Sequence, residues 1–176
     1  MNPLRVTLLT LAGLCLCTLP ANAGRREMLT LTQEAINLPS NENQKKIDLY
    51  SQAIDEDSKY YLPWTNRAIC YINYGLWDNA IEDASAAIAL APENPHYAYV
   101  YAVALHSSGK FREALAVLKK AEAKHPSDPD LLGALVAMLR EAGEDESALG
   151  YARKAAEALP DDESMQRWVR ELQGNK

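Results

Sequence analysis

The sequence predicts an all-α protein in which antiparallel helix pairs stack into a solenoid that ends in a capping helix. The main observation is a period of 34 residues that several residue types share. Its members are Ala53, Ala87, Ala121 and Ala155; Ala80, Ala114 and Ala148; Gly75, Gly109 and Gly143; and Pro92, Pro126 and Pro160. A fixed period of this length is typical of stacked repeats, because a single repeat cannot bury its apolar face alone.

Each recurring residue type has a physical role in a helix pair. Small side chains such as Ala68, Ala80 and Ala87 let two antiparallel helices approach closely. The glycines are expected to end the first helix of each pair in a left-handed conformation, which is unfavourable for other residues. The prolines are expected to follow the second helix and direct the chain into the next pair.

The clearest repeat is 61–94, and it resembles the tetratricopeptide repeat (TPR). The match comprises Trp64, Ala68, Tyr71, Ala80, Ala87 and Pro92, with Arg67 and Ala84 replacing the usual Leu and second aromatic residue. Repeats 95–128 and 129–162 follow with the same period. The resemblance implies a right-handed α-α superhelix whose first helices line a concave groove, and exported bacterial members of this family are the expected relatives.

Both ends of the array differ from the middle. Residues 24–60 are predicted to form a degenerate N-terminal repeat, with a firm second helix on Ile47, Tyr50, Ala53 and Ile54 and a less regular first helix. Residues 163–176 are predicted to form a C-terminal capping helix. Its apolar stripe is Met165, Trp168, Val169 and Leu172. An alternative interpretation makes Trp168 an anchor for a partner protein.

Residues 1–23 have the three-part pattern of a secretory signal peptide, with cleavage expected after Ala23. A membrane anchor is the alternative, but the apolar run from Val6 to Leu19 is shorter than the ~20 residues that span a bilayer. We therefore expect a periplasmic or secreted protein with no membrane insertion after cleavage.

The charge and cysteine content narrow the function classes. Loss of Arg5 with the signal peptide takes the net charge from −6 to −7, which argues against binding to nucleic acid or anionic membranes. Cys70 is the one cysteine left after processing, and it is expected to be buried and unreactive.

The sequence offers no pattern for catalysis, a metal ion or a cofactor. His96 and His106 lie ten residues apart on one predicted helix. They are therefore separated by roughly 15 Å, too far to share an ion. Motifs for covalent haem, zinc proteases, serine hydrolases and phosphate loops are missing from the chain. We expect a non-enzyme without a cofactor.

The candidate binding site is the groove that the resemblance implies, centred on Tyr99, Val103, His106 and Ile69. The predicted groove residues are Leu62, Asn66, Ile69, Ile72, His96, Tyr99, Val103, His106 and Arg140. Some family members hold a partner's terminal carboxylate with Lys, Arg and Asn. Here Asn66, Asn73 and Arg140 are of suitable type, so a full clamp is not expected. Among the alternating tyrosines of the second repeat, we expect Tyr101 to be buried and Tyr99 to be exposed.

Three hypotheses for function follow. The first is a protein-binding scaffold of the bacterial cell envelope that holds a peptide or helix segment of another protein. The second is self-assembly, with a terminal helix of one copy in the groove of the next. The third is an accessory module of an electron-transfer or enzyme complex, since Tyr99 to His106 is similar to repeats that accompany electron-transfer proteins.

Overall fold

The computed structural model describes residues 23–174, and this part of the chain consists of α-helices joined by short turns. The helices are α1 (Ala23–Asn37), α2 (Asn43–Glu56), α3 (Tyr61–Tyr74), α4 (Trp77–Leu90), α5 (Pro95–Ser107), α6 (Phe111–Lys124), α7 (Pro129–Glu141), α8 (Asp145–Ala158) and α9 (Glu163–Gly174). Residues 1–22 of the predicted signal peptide lie outside the described part. Within residues 23–174, no helix has the length and apolar content that crossing a membrane requires.

Consecutive helices pack as antiparallel pairs, and each pair packs against the next. The pairs are α1–α2, α3–α4, α5–α6 and α7–α8, and α9 packs on α8. The first helices of successive pairs also touch, α3 with α5 and α5 with α7. The all-α solenoid predicted from the 34-residue period is therefore confirmed. The N-terminal segment predicted to be degenerate contains a helix pair, with Met28 and Ala35 of α1 buried.

The turns within the last three pairs depend on glycine. Gly75, Gly109 and Gly143 follow the first helix of each pair with φ of 74°, 82° and 74°. At the first of these turns, the Gly75 N–H donates to the Ile72 carbonyl at 3.1 Å, and the Leu76 N–H donates to the Tyr71 carbonyl at 2.9 Å. The predicted left-handed helix ends are therefore confirmed.

The core is built from alanines at the helix crossings and larger side chains around them. Ala53, Ala87 and Ala155, which share the 34-residue step, have no exposed surface. The largest cluster joins α5, α6, α7 and α8, and α7 contributes Leu131, Leu135, Val136, Met138 and Leu139 to it. The C-terminal half of the solenoid therefore has the more extensive apolar core.

Helix α9 buries the apolar stripe predicted for it. Met165 and Leu172 are buried, and Trp168 and Val169 are half-buried against the core. Trp168 lies over Gly133 of α7, where an added Cβ would be 3.1 Å from the ring atom Cη2. This close approach fixes the position of α9 against α7.

One expectation about the tyrosines of α5 is wrong. The buried ring is Tyr97, which lies 5.1 Å from Tyr61 between ring centroids, whereas Tyr99 and Tyr101 are both half-buried. Tyr97 and Tyr101 share a face of α5 because they are four residues apart. The preceding helix pair covers Tyr97, but Tyr101 lines an open slot between α4 and α6.

Candidate functional site

Helices α3, α5 and α7 pack side by side, and we use the name groove for the face of these first helices that carries the cavities described below. It is lined by α3, α5 and α7, with α9 closing its C-terminal end, and it contains two cavities. The C-terminal cavity lies between α5, α7 and α9, and the N-terminal cavity lies between α1, α2 and α3.

The C-terminal cavity has a volume of about 500 Å³ and an apolar floor. Its wall on α5 is formed by Tyr99, Val103 and His106. Helix α7 lines the cavity mainly with small side chains, and α9 with the turn before it forms the remaining wall. The lining residues of α7 are Pro129, Asp130, Gly133, Ala134, Ala137, Met138 and Glu141, and those of the turn and α9 are Asp162, Met165 and Trp168. Small residues thus form most of the cavity wall on α7, and the aromatic rings of Tyr99 and Trp168 line the cavity from α5 and α9.

Polar and aromatic contacts position the side chains of α5 along the groove. The His106 Nε2 atom lies 2.8 Å from the Glu141 Oε2 atom, and the His106 ring lies 5.8 Å from that of Phe111. The His96 ring stacks on Tyr99 at 6.2 Å between centroids. Tyr99 also packs against both neighbouring core clusters, so its ring is held while its outer face lines the cavity.

The N-terminal cavity is smaller, about 230 Å³, and more polar. It is lined by Ile36, Ser40, Asn43, Lys46, Tyr50, Asn66, Ile69, Cys70 and Asn73. Burial raises the pKa of Tyr50 to about 12, with the nearby Cys70 adding to the rise and a hydrogen bond with Asn66 opposing it. Burial also raises the pKa of the Cys70 thiol, and Cys70 is buried as predicted. A thiol of this kind is poorly reactive because little thiolate forms.

Five of the nine predicted groove residues line one of the two cavities. Tyr99, Val103 and His106 line the C-terminal cavity, and Asn66 and Ile69 line the N-terminal cavity. Ile72 packs against the same buried cluster as Ile69 and Tyr99.

The remaining three predicted residues line neither cavity. Leu62 is half-buried in the first turn of α3, and His96 is exposed beside Tyr99. Arg140 is exposed and pairs with Glu171 of α9, with 3.5 Å between Nη1 and Oε2. Asn66 and Arg140, two possible clamp residues, therefore lie at opposite ends of the groove.

The sequence prediction missed residues that come from outside the first helices. Lys46 and Asn43 reach the N-terminal cavity from α2, and Asp162 and Met165 reach the C-terminal cavity from α9 and its preceding turn. The expected positions covered only first helices, so no sequence signal pointed to Lys46. Trp168 both packs against the core and lines the cavity, so the two interpretations of this residue are compatible.

In the described part of the chain, no group of three or more His, Cys, Asp or Glu residues could hold a metal ion. The lining of the C-terminal cavity includes two aromatic side chains, Tyr99 and Trp168, together with the small residues of α7.

Comparisons with known proteins agree with the fold. Two family models, both described as tetratricopeptide repeat, match residues 65–129 and 105–172. The rat E3 ubiquitin-protein ligase TTC3 is 33% identical over 81 residues, which are 46% of this chain and 4% of that protein. The chain thus spans a small part of the curated relatives it matches.

Solved structures are similar over a larger share of the chain. The crystal structure of MamA protein has a TM-score of 0.70 at 16% identity, covering 86% of this chain and 83% of that one. The second TPR domain of human RPAP3, solved with an HSP70 peptide, has a TM-score of 0.62 at 18% identity, covering 65% of this chain and 97% of that domain. With the repeat models matched along α3 to α9, the chain belongs to the tetratricopeptide repeat family.

Proposed function

We propose that the protein is a non-catalytic interaction scaffold of the cell envelope that holds a segment of a partner protein in its groove. The observation that carries this proposal is the C-terminal cavity, where Tyr99 and Trp168 flank the small residues of α7. Rigid aromatic side chains provide large contact area with little loss of conformational freedom, which suits recognition of a short segment.

Similar folds support this proposal by analogy. The human RPAP3 domain was solved with an HSP70 peptide, and another RPAP3 domain was solved with an HSP90 peptide. We infer the same class of ligand here, an extended or helical segment of a polypeptide.

The envelope setting rests on the sequence of residues 1–23. Expression of the full chain in a bacterium, followed by intact mass measurement of the periplasmic fraction, tests it. We expect a product that begins at Gly24. A full-length product in the cytoplasm would overturn the envelope setting and leave the groove proposal standing.

The binding proposal is tested with two matched variants, in each of which an exposed alanine is replaced by arginine. Ala137 is exposed inside the C-terminal cavity, and Ala116 is exposed on α6, away from the groove. Both lie within helices, where Arg is well tolerated. Ala137→Arg should fill the cavity and remove partner proteins captured from an envelope extract, whereas Ala116→Arg should retain them. Equal capture by both variants would contradict groove binding.

Self-association is a second candidate, favoured by the exposed apolar residues of α1. Leu29 and Ile36 lie seven residues apart on one face of α1, and each is 45% exposed. Helix α9 is a poorer donor to a second copy, because Met165 and Leu172 are buried within their own chain. Sedimentation at several concentrations should give a rising mass if α1 pairs, and Leu29→Glu should abolish the rise.

The accessory-module hypothesis requires a bound redox group or a stable complex with an electron-transfer protein. An absorbance spectrum of the purified protein tests the first possibility, and the capture experiment tests the second. Identification of electron-transfer proteins among the captured partners would support this hypothesis.

A further inference from the structure

The two cavities of the groove differ in charge. Asp130, Glu141 and Asp162 line the C-terminal cavity, and no Lys or Arg among residues 23–174 does so. Lys46 lines the N-terminal cavity with Asn43, Asn66 and Asn73, and no Asp or Glu from the described residues joins them. One end of the groove is therefore suited to a cation beside an apolar side chain, and the other to an anion.

The three carboxylates of the C-terminal cavity differ in their hydrogen-bond partners and in their exposure. Asp162 accepts hydrogen bonds from the backbone N–H and the hydroxyl of Ser164, and these bonds lower the pKa of Asp162. Glu141 contacts His106 but is itself 63% exposed, so it can also contact a ligand. Asp130 is exposed in the first turn of α7. Its position in the cavity wall leaves it accessible to a partner.

At the N-terminal end, Lys46 is half-buried rather than extended into solvent. It lines the cavity together with side-chain amides, which donate hydrogen bonds to a carboxylate through their NH₂ groups. A carboxylate side chain of a partner would thus meet a positive charge and neutral donors at one place.

The spacing of the two ends sets the length of the segment. Neighbouring packed helices lie about 10 Å apart, so the wall of the N-terminal cavity on α3 and the wall of the C-terminal cavity on α7, which are separated by α5, lie about 20 Å apart. An extended chain rises about 3.3 Å per residue and covers that distance in about six residues. One short segment can therefore reach both cavities.

We propose that the groove selects an extended segment with a Lys or Arg beside an apolar side chain at one end and an Asp or Glu about six residues away. The basic end lies in the C-terminal cavity and the acidic end in the N-terminal cavity. This proposal rests on the proposed function and adds the charge order of the partner segment. Complementary charges fix the register of such a segment more than they raise its affinity.

The test uses synthetic peptides acetylated and amidated at their ends, so that only side chains carry charge. The dipolar peptide has Lys-Phe at one end and an Asp six residues after the Lys, with neutral residues between Phe and Asp. One control replaces Asp by Asn, a second replaces Lys by norleucine, and a third keeps the composition but places Lys and Asp side by side. Calorimetry measures the affinity of each peptide for the mature protein and for two variants.

The variants remove one charge at each end of the groove. Lys46→Gln should weaken the dipolar peptide about threefold and leave the Asn peptide unchanged, since an ion pair at a protein surface contributes up to about 1 kcal/mol. Asp130→Asn should weaken the dipolar peptide by a similar factor and leave the norleucine peptide unchanged. The peptide with adjacent charges should bind more weakly than the dipolar peptide.

Equal binding of the dipolar and adjacent-charge peptides would overturn the charge order, and so would equal weakening of every peptide by either variant. Failure of the dipolar peptide to bind would also overturn it. The proposed function is tested separately by the capture experiment, in which Ala116→Arg should retain partner proteins and Ala137→Arg should lose them. That experiment does not use the designed peptides.

Discussion

Arg67 and Asp83 form a two-point ion pair between α3 and α4, with 2.7 Å from Nε to Oδ2 and 2.8 Å from Nη2 to Oδ1. The third guanidinium nitrogen, Nη1, donates to the Ser51 hydroxyl of α2 at 2.8 Å. The guanidinium also lies over the rings of Trp64 and Tyr71, at 5.2 and 5.7 Å from their centroids. Arg67 replaces the usual Leu of the repeat, and it joins two successive helix pairs through polar contacts.

Removing Asp83 should destabilise the protein strongly. Its side chain is 4% exposed and that of Arg67 is 15% exposed, so Asp83→Ala would leave a largely buried cation without its partner. We expect a loss of about 3 kcal/mol in the free energy of unfolding, measured by guanidinium chloride denaturation. The double variant Arg67→Leu with Asp83→Ala should recover part of this loss, because no buried charge then remains.

The control for this prediction is the surface ion pair between Lys45 and Glu42, in which the Lys45 side chain is 71% exposed. Lys45→Ala should cost less than about 1 kcal/mol. If Asp83→Ala cost no more than Lys45→Ala, the ion pair between α3 and α4 would not be a stabilising link.

Alkaline pH should destabilise the fold through Tyr50. Its pKa is raised from 10.0 to about 12, chiefly by burial, so the folded state keeps a proton that the unfolded state loses. The contribution of protonated Tyr50 to the free energy of unfolding is therefore fully present below pH 10. It is lost as the pH rises towards 12, and the free energy of unfolding falls by up to about 3 kcal/mol. Tyr50→Phe should make this part of the stability curve less steep, and the slope that remains includes Tyr97, whose pKa burial also raises to about 12. Tyr74→Phe, at an exposed position, is the matched control for loss of a tyrosine hydroxyl.

The period of 34 residues was sufficient to predict the architecture, because the three repeats 61–94, 95–128 and 129–162 place their alanines, glycine and proline at equivalent points of a helix pair. It was not sufficient to predict which side chains would meet in the groove. Lys46 reaches the N-terminal cavity from a second helix, and Asp162 reaches the C-terminal cavity from a turn. Such positions depend on how successive pairs are oriented, and that orientation arises from packing rather than from local sequence. The wrong expectation that Tyr101 is buried and Tyr99 exposed has the same cause.

Two glycines should respond in opposite ways to substitution by alanine. Gly109 has φ of 82°, so Gly109→Ala should cost about 1–2 kcal/mol although no atom lies within 4 Å of the added Cβ. Gly150 lies within α8 with equally free space, and Gly150→Ala should stabilise by up to about 1 kcal/mol. Thermal denaturation checks both, and a stabilising Gly109→Ala would argue against the left-handed turn.

Deletion of residues 163–176 should loosen the solenoid from its C-terminal end. Met165 packs with Leu132 and Ala155 in one buried cluster, so the deletion exposes apolar surface of α7 and α8. In a solenoid, stability is nearly a sum of contacts between neighbours. Hydrogen exchange should therefore accelerate in α7 and α8 and change little in α1 and α2. Equal acceleration in all pairs would indicate a single cooperative unit instead.

Site-specific photo-crosslinking tests groove binding most directly. A benzophenone side chain is introduced in place of Ala137 in one protein and in place of Ala116 in another, and each is irradiated with the captured partner. Position 137 should give a covalent adduct with a short segment of the partner, and position 116 should give none. An adduct from position 116 without one from position 137 would contradict binding in the groove.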